Sequence, residues 1–159
     1  MLALAGGALG ALGGGPGARD APTCTVPISV GVGGRCRIAW AELQPHLRPT
    51  QRTVGAAWVA HKVDRHFSSR KDAQATLDAS PVPVALASNG TYLLDRHHTL
   101  AALDWSDHTD AEVTVFVSCA LGGADDVWRE LARRGWAYLF GRPATQPDAL
   151  PARTARRPK

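Results

Sequence analysis

Arg96, His97 and His98 stand together between Asp95 and Thr99, where the β-prone run Thr91 to Leu94 gives way to the helical spacing of Leu100, Ala101 and Leu103. The pattern predicts a strand that turns into a helix over Arg96 to Trp105, with Asp95 as its N-cap. Cationic groups in a first helical turn oppose the macrodipole, which favours anions there and lowers a histidine's pKa. Each unfavourable charge costs about 0.3 to 1 kcal/mol. An anion removes the conflict: a phosphate at the helix N-terminus would receive backbone N–H groups together with Arg96, His97 and His98. The plainer alternative has Asp95 capping the helix and pairing with Arg96 while one histidine packs neutral against the preceding strands.

Imidazole that is neutral near pH 7 also suits proton transfer. His97 or His98 is therefore a candidate general base or phosphate ligand, and Arg96 a clamp on a phosphoryl oxygen. Asp95 would orient a histidine or hold a divalent metal such as Mg²⁺. Other clusters carry less. His61 and His66 are five residues apart on one predicted helix and diverge by more than a quarter turn, so no metal site is expected there with Asp64. Asp104, Asp107, His108 and Asp110 read as solvated cap and turn residues.

The elements that must position this turn follow from the rest of the pattern. Val26 to Val32 and Arg35 to Trp40 are β-prone around the turn pair Gly33-Gly34. Thr50 can cap a helix from Gln51 to Phe67 whose core stripe is Gly55/Ala56, Val59, Val63 and Phe67. Ser68 to Ser80 is polar and turn-like. Pro81 to Ala87 predicts a strand with its prolines at the entry, and Asn89-Gly90 a tight turn back into Thr91 to Leu94, which together make a hairpin. Ala111 to Cys119 alternates as a strand. Asp125 and Asp126 favour the start of a helix over Val127 to Phe140 that carries Trp128, Leu131, Trp136 and Leu139, with Gly135 as a weak point.

The chain has 159 residues, with 18 Lys and Arg against 14 Asp and Glu, a net charge of +4. The excess is local, since Arg142, Arg153, Arg156, Arg157 and Lys159 face only Asp148 after Gly141. Residues 1–141 balance, which excludes a generic phosphate-backbone binder resting on a broad basic face. One domain over about 25–141 is expected, large enough to bury a core without obligatory disulfides or metal. The Gly-rich leader within 1–24 is either a targeting segment lacking the usual basic start or an unstructured start. Residues 142–159 read as a disordered Pro- and Arg-rich tail. No apolar run is long enough to span a bilayer. Cys24, Cys36 and Cys119 cannot all pair and show no zinc spacing, so buried thiols are expected.

Four elements in order, Pro49-Thr50-Gln51 near a helix start, the strand entry Pro81-Val82-Pro83, the Asn89-Gly90 hairpin and Asp95-Arg96-His97-His98, resemble the ParB/sulfiredoxin superfamily. The likeness, over roughly residues 35–140, is greatest to its small branch of ParB-like nucleases. It implies an α/β (α+β in detail) fold with a small mixed sheet and about three helices. It also implies a phosphate-handling turn acting on a nucleotide or on nucleic acid at phosphodiester or phosphoanhydride bonds. Gln51 and Lys62 become secondary phosphate contacts by the same resemblance, beside Asp95, Arg96 and Thr99 of the turn. The sulfiredoxin Cys and the double Arg of ParB proteins have no counterpart here, so sulfinic acid reduction is not expected. Branch members continue past the last helix with further structure, whereas here the composition turns to Pro, Ala and Arg, which suggests truncation or divergence. Two other readings stay open: a non-catalytic nucleotide- or anion-binding module, and a degenerate inactive member.

Overall fold

Val82–Ala87 forms the middle strand of the sheet, flanked on both sides and buried at Val82, Val84 and Ala85. A computed structural model describes residues 20–51, 54–122 and 126–137. In chain order the elements are β1 (Arg35–Ala39), α1 (Trp40–Leu43), β2 (Leu47–Pro49), α2 (Ala56–His66), α3 (Arg70–Asp78), β3 (Val82–Ala87), β4 (Gly90–Leu93), α4 (His97–Trp105), β5 (Glu112–Ala120) and α5 (Val127–Arg133). A single 3₁₀ turn, Gln44–His46, joins α1 to β2.

The sheet order is β1-β5-β3-β4-β2. β1 and β5 are antiparallel, as are β3 and β4, whereas β3/β5 and β2/β4 are parallel. This is a mixed α+β fold. The described residues hold five α-helices rather than about three.

Strand alternation places two cores on opposite faces. Val82, Val84, Leu93, Val113, Val115 and Val117 face the larger core, with Val59 of α2, Ala73 and Leu77 of α3, and Leu100 to Leu103 of α4. Ala85 and Tyr92 face the smaller one, under Val127 and Leu131 of α5. The Tyr92 ring meets Trp128 edge-on with centroids 5.3 Å apart.

Several expectations are corrected. Val26 to Val32 is not a strand: Pro27 lacks a ladder donor, and the segment is tied instead through Cys24, which is disulfide-bonded to Cys36 rather than a buried thiol. Cys24 N–H donates to Arg37 O and Arg37 N–H to Pro22 O, both at 2.8 Å, so this segment shields the outer edge of β1. The helix expected from Gln51 begins at Ala56 with Gly55 as N-cap; the N–H groups of Thr50 and Gln51 are instead given to His97 Nε2, and the Thr50 hydroxyl to Leu93 O. Ser68 to Ser80 is not a turn. Ser69 accepts from Asp72 N at the start of α3, and Ala73 and Leu77, one turn apart, are buried. A polar composition hid a narrow apolar stripe.

The last helix stops at Arg133. Gly135, at φ +69°, donates to Ala132 O at 3.0 Å, and Trp136 N–H donates to Leu131 O at 2.8 Å. That paired closure is the left-handed stop glycine favours, so Gly135 ends the helix rather than weakening its middle. The expected leader up to residue 19, Asp125 as a helix-start residue, the end of the last helix at Leu139 and Phe140, and the tail over 142–159 lie outside the described residues.

Candidate functional site

The turn between β4 and α4 is built by one residue in an uncommon conformation. Arg96 precedes the helix at φ 73°, ψ 14°, in the left-handed region, and is the one non-glycine residue with positive φ among the described residues. A Cβ-bearing residue there costs about 1 to 2 kcal/mol. Asp95 therefore does not cap the helix as expected. Its Oδ1 accepts the N–H of Arg96 at 2.6 Å, which holds the bend one residue earlier. Thr99 and Leu100 N–H both donate to Arg96 O at 2.9 Å. The N–H groups of His97 and His98 precede them in the first turn, where a helix has no carbonyl of its own to offer.

The two histidines part company at this point. His97 is 1% exposed, and its Nε2 accepts the backbone N–H of Thr50 at 3.1 Å and of Gln51 at 3.2 Å. Nε2 is thus the acceptor and the ring proton lies on Nδ1, which is buried with no hydrogen-bond partner among the described residues. The Thr50 hydroxyl donates to Leu93 O at 2.6 Å and lies 3.4 Å from the same Nε2. Burial lowers the His97 pKa to about 4, with nearby Asp95 working against the shift and His98 adding to it. This imidazole is neutral and buried, with Nε2 already engaged by two backbone N–H groups. His98, the next residue, is only partly buried.

Of the expected site residues, the structure joins His97 to Gln51 by a hydrogen bond, and Asp95 and Gln51 line one cleft of about 450 Å³ with Pro83, Leu94, Ser118 and Trp136. Arg96 is exposed and Thr99 partly buried on the same turn. Lys62 is not joined to the turn by a hydrogen bond or ion pair among the described residues; its ammonium lies 5.8 Å from the Trp58 ring centroid. Asp110, read as a solvated turn residue, accepts from Arg70 at 2.9 Å, and that hydrogen bond holds its carboxyl below the usual range.

Ser118 and Trp136 are among the lining residues that the sequence pattern did not single out for the site. The β3/β5 register moves from Val84↔Val117 to Ala85↔Cys119, so Ser118 is an extra residue in β5. Such a bulge redirects a side chain, and here Ser118 lines the cleft. Trp136 reaches the same cleft because the chain reverses at Gly135. A Gly eight residues after a helix start is a detectable stop signal, whereas nothing local announces the bulge. Burial pushes the neighbouring Cys119 thiol up, away from nucleophile chemistry.

A divalent metal does not find a ready ligand set here. Asp95 Oδ1 is engaged by Arg96 N–H, and no group of three His, Cys, Asp or Glu side chains that could hold a metal ion occurs among the described residues. No helix among the described residues is long and apolar enough to cross a membrane.

Fold and turn together define a mixed α+β protein in which a polar bend leads from a sheet strand into the central helix of the main core. A family model described as "Putative ParB-like nuclease" matches residues 42–156. The chain belongs to this ParB-like nuclease family. The crystal structure of protein Atu1540 from Agrobacterium tumefaciens is similar to it, with a TM-score of 0.50 and 26% identity over 65% of this chain and 49% of that one. The chain thus spans about half the length of that relative. None of the curated proteins matches it. The matched region begins after β1, so the disulfide and the segment it anchors precede it.

Proposed function

We propose that the protein hydrolyses a phosphodiester or phosphoanhydride bond of a nucleotide or nucleic acid at the Asp95 to Thr99 turn. The observation that carries this is the conformation of Arg96: a left-handed arginine, exposed, directly before a helix N-terminus. A local cost of this kind is kept where a site needs the geometry. The phosphate would sit against the N–H groups of His97 and His98, with the Arg96 guanidinium on its equatorial oxygens.

The roles of the histidines divide. His98 takes the proton of an attacking water as its oxygen bonds to phosphorus; the opposite P–O bond breaks, and the leaving oxygen gains a proton from solvent. Arg96 and the helix N-terminus stabilise the charge that builds on the non-bridging oxygens. His97 is a positioning residue, holding Gln51 and the end of β2 against the turn. Gln51 and Thr99 remain secondary polar contacts.

Hydrolysis of a nucleotide and of a short oligonucleotide, followed with wild type and His98→Ala, tests this reading. Loss of turnover by about 10²-fold or more is expected, with the fold intact by circular dichroism. Unchanged turnover sinks the catalytic role. Binding without chemistry is the second reading, supported by the open cleft beside the turn that Gln51, Asp95, Ser118 and Trp136 line. It predicts nucleotide affinity in a wild-type protein that turns nothing over.

A further inference from the structure

The outward face of α2 carries a feature that the turn does not use. Trp58 is 54% exposed, one of two large hydrophobic side chains left this open among the described residues. Its ring stacks on His61 with centroids 5.4 Å apart and planes 19° apart, and Lys62 places its ammonium 5.8 Å from the ring centroid. Helical geometry adds Arg65: positions 58, 61, 62 and 65 fall within about 100° of arc. Val59 and Val63 lie on the opposite side and pack on the core. The arc contains no acid. Lys62 and Arg65 form no ion pair with a carboxylate among the described residues, in contrast to Arg37, Arg70, Arg129, Arg133 and Arg134.

Stability accounts for part of this stripe but not for Trp58. Arg65 and His66 complement the C-terminal end of the α2 dipole. An exposed indole in the first turn does nothing of the kind, and leaving it in water forgoes the gain from burial. A protein partner would favour an interface whose centre is poor in charge. Parallel aromatic rings flanked by cations match the other class of ligand, one that offers flat π-faces and a regular row of anions.

We propose that this face of α2 binds single-stranded nucleic acid. The Trp58–His61 stack is a platform for an unpaired base, and Lys62 and Arg65 meet the adjoining phosphates. A duplex would keep its base faces covered, so the platform selects a single strand. The surface shares its ligand class with the proposed reaction but needs none of the residues of the turn. It also fits a body without net charge, because recognition rests on one short stripe rather than on a broad basic field.

Fluorescence anisotropy of a labelled oligothymidylate, titrated with the full chain at several salt concentrations, tests the proposal. Trp58→Ala is expected to weaken binding about tenfold, and Trp58→Phe to restore most of it. The double variant Lys62→Gln, Arg65→Gln should lower the slope of log affinity against log salt by about 1.4. A folded Trp58→Ala protein with wild-type affinity, or a wild type that binds no strand at low salt, overturns the proposal. A wild type that binds through Trp58 yet turns nothing over overturns the catalytic reading of the turn and leaves this one standing. Turnover without any effect of Trp58 on affinity does the reverse.

Discussion

His97 Nε2 lies 3.1 Å from the backbone nitrogen of Thr50, a residue 47 positions earlier in the chain. This hydrogen bond, doubled by that from Gln51, fastens the exit of β2 to the first turn of α4. It fixes the His97 tautomer and directs the ring inward. Because α4 advances about 100° per residue, the same contact turns His98 away from His97 and leaves it partly exposed.

Stability should fall as acid charges His97. Its folded pKa, about 4, is depressed below the ordinary value of 6.5, so the unfolded chain binds the extra proton first. The contribution is fully present above pH 6.5 and is lost as pH falls toward 4, about 3 kcal/mol in all. Urea denaturation across this range checks it, with His97→Gln as the comparison. Glutamine offers an oxygen where Nε2 sits and does not titrate; an equally steep pH dependence in that variant would place the titration elsewhere.

Arg96→Gly should stabilise the fold while weakening the site. Glycine adopts φ 73° without the Cβ conflict, so a gain of about 1 kcal/mol is expected in chemical denaturation. Phosphate or nucleotide affinity should drop at the same time, since the guanidinium is gone. A destabilised variant would mean that the arginine side chain, rather than function, holds the bend.

Reduction of Cys24–Cys36 should release the segment before β1. The bridge closes a short loop, with a sequence separation of 12 and Cα atoms 5.6 Å apart. Chain entropy assigns such a loop about 3 kcal/mol, which lowers the melting temperature by about 10 °C in a chain of this size. Thermal melts with and without reductant measure it, and Cys24→Ser/Cys36→Ser should melt like the reduced protein. Coincident melts for the oxidised and reduced chains would show that the segment is held by its backbone hydrogen bonds to Arg37 alone.

Much of the architecture was legible because its signals are local. The hairpin of β3 and β4 followed from Asn89-Gly90 between two β-prone runs, β5 from the alternation of Val113, Val115 and Val117, and α4 from the spacing of its leucines. α3 was missed since only Ala73 and Leu77 face the core, too few to raise a periodic signal above nine mostly polar residues. The helix start at Thr50 failed for a different reason. Its hydroxyl is a good cap in isolation, but here it donates to Leu93 O, an acceptor provided by β4.

By itself the sequence determined the β3/β4 hairpin, β5, α4, the family, and a turn in which an arginine and two histidines meet a helix N-terminus. Those features depend on residue type and on spacing over a few positions. The tertiary structure decided which histidine is buried and which is left partly exposed, that Gln51 rather than Lys62 is drawn to the turn, and that Ser118 and Trp136 line the cleft beside it. Each of those outcomes depends on strand pairing, a register shift or a packed face that brings distant segments together, and adjacent histidines carry no local mark of which will face the core.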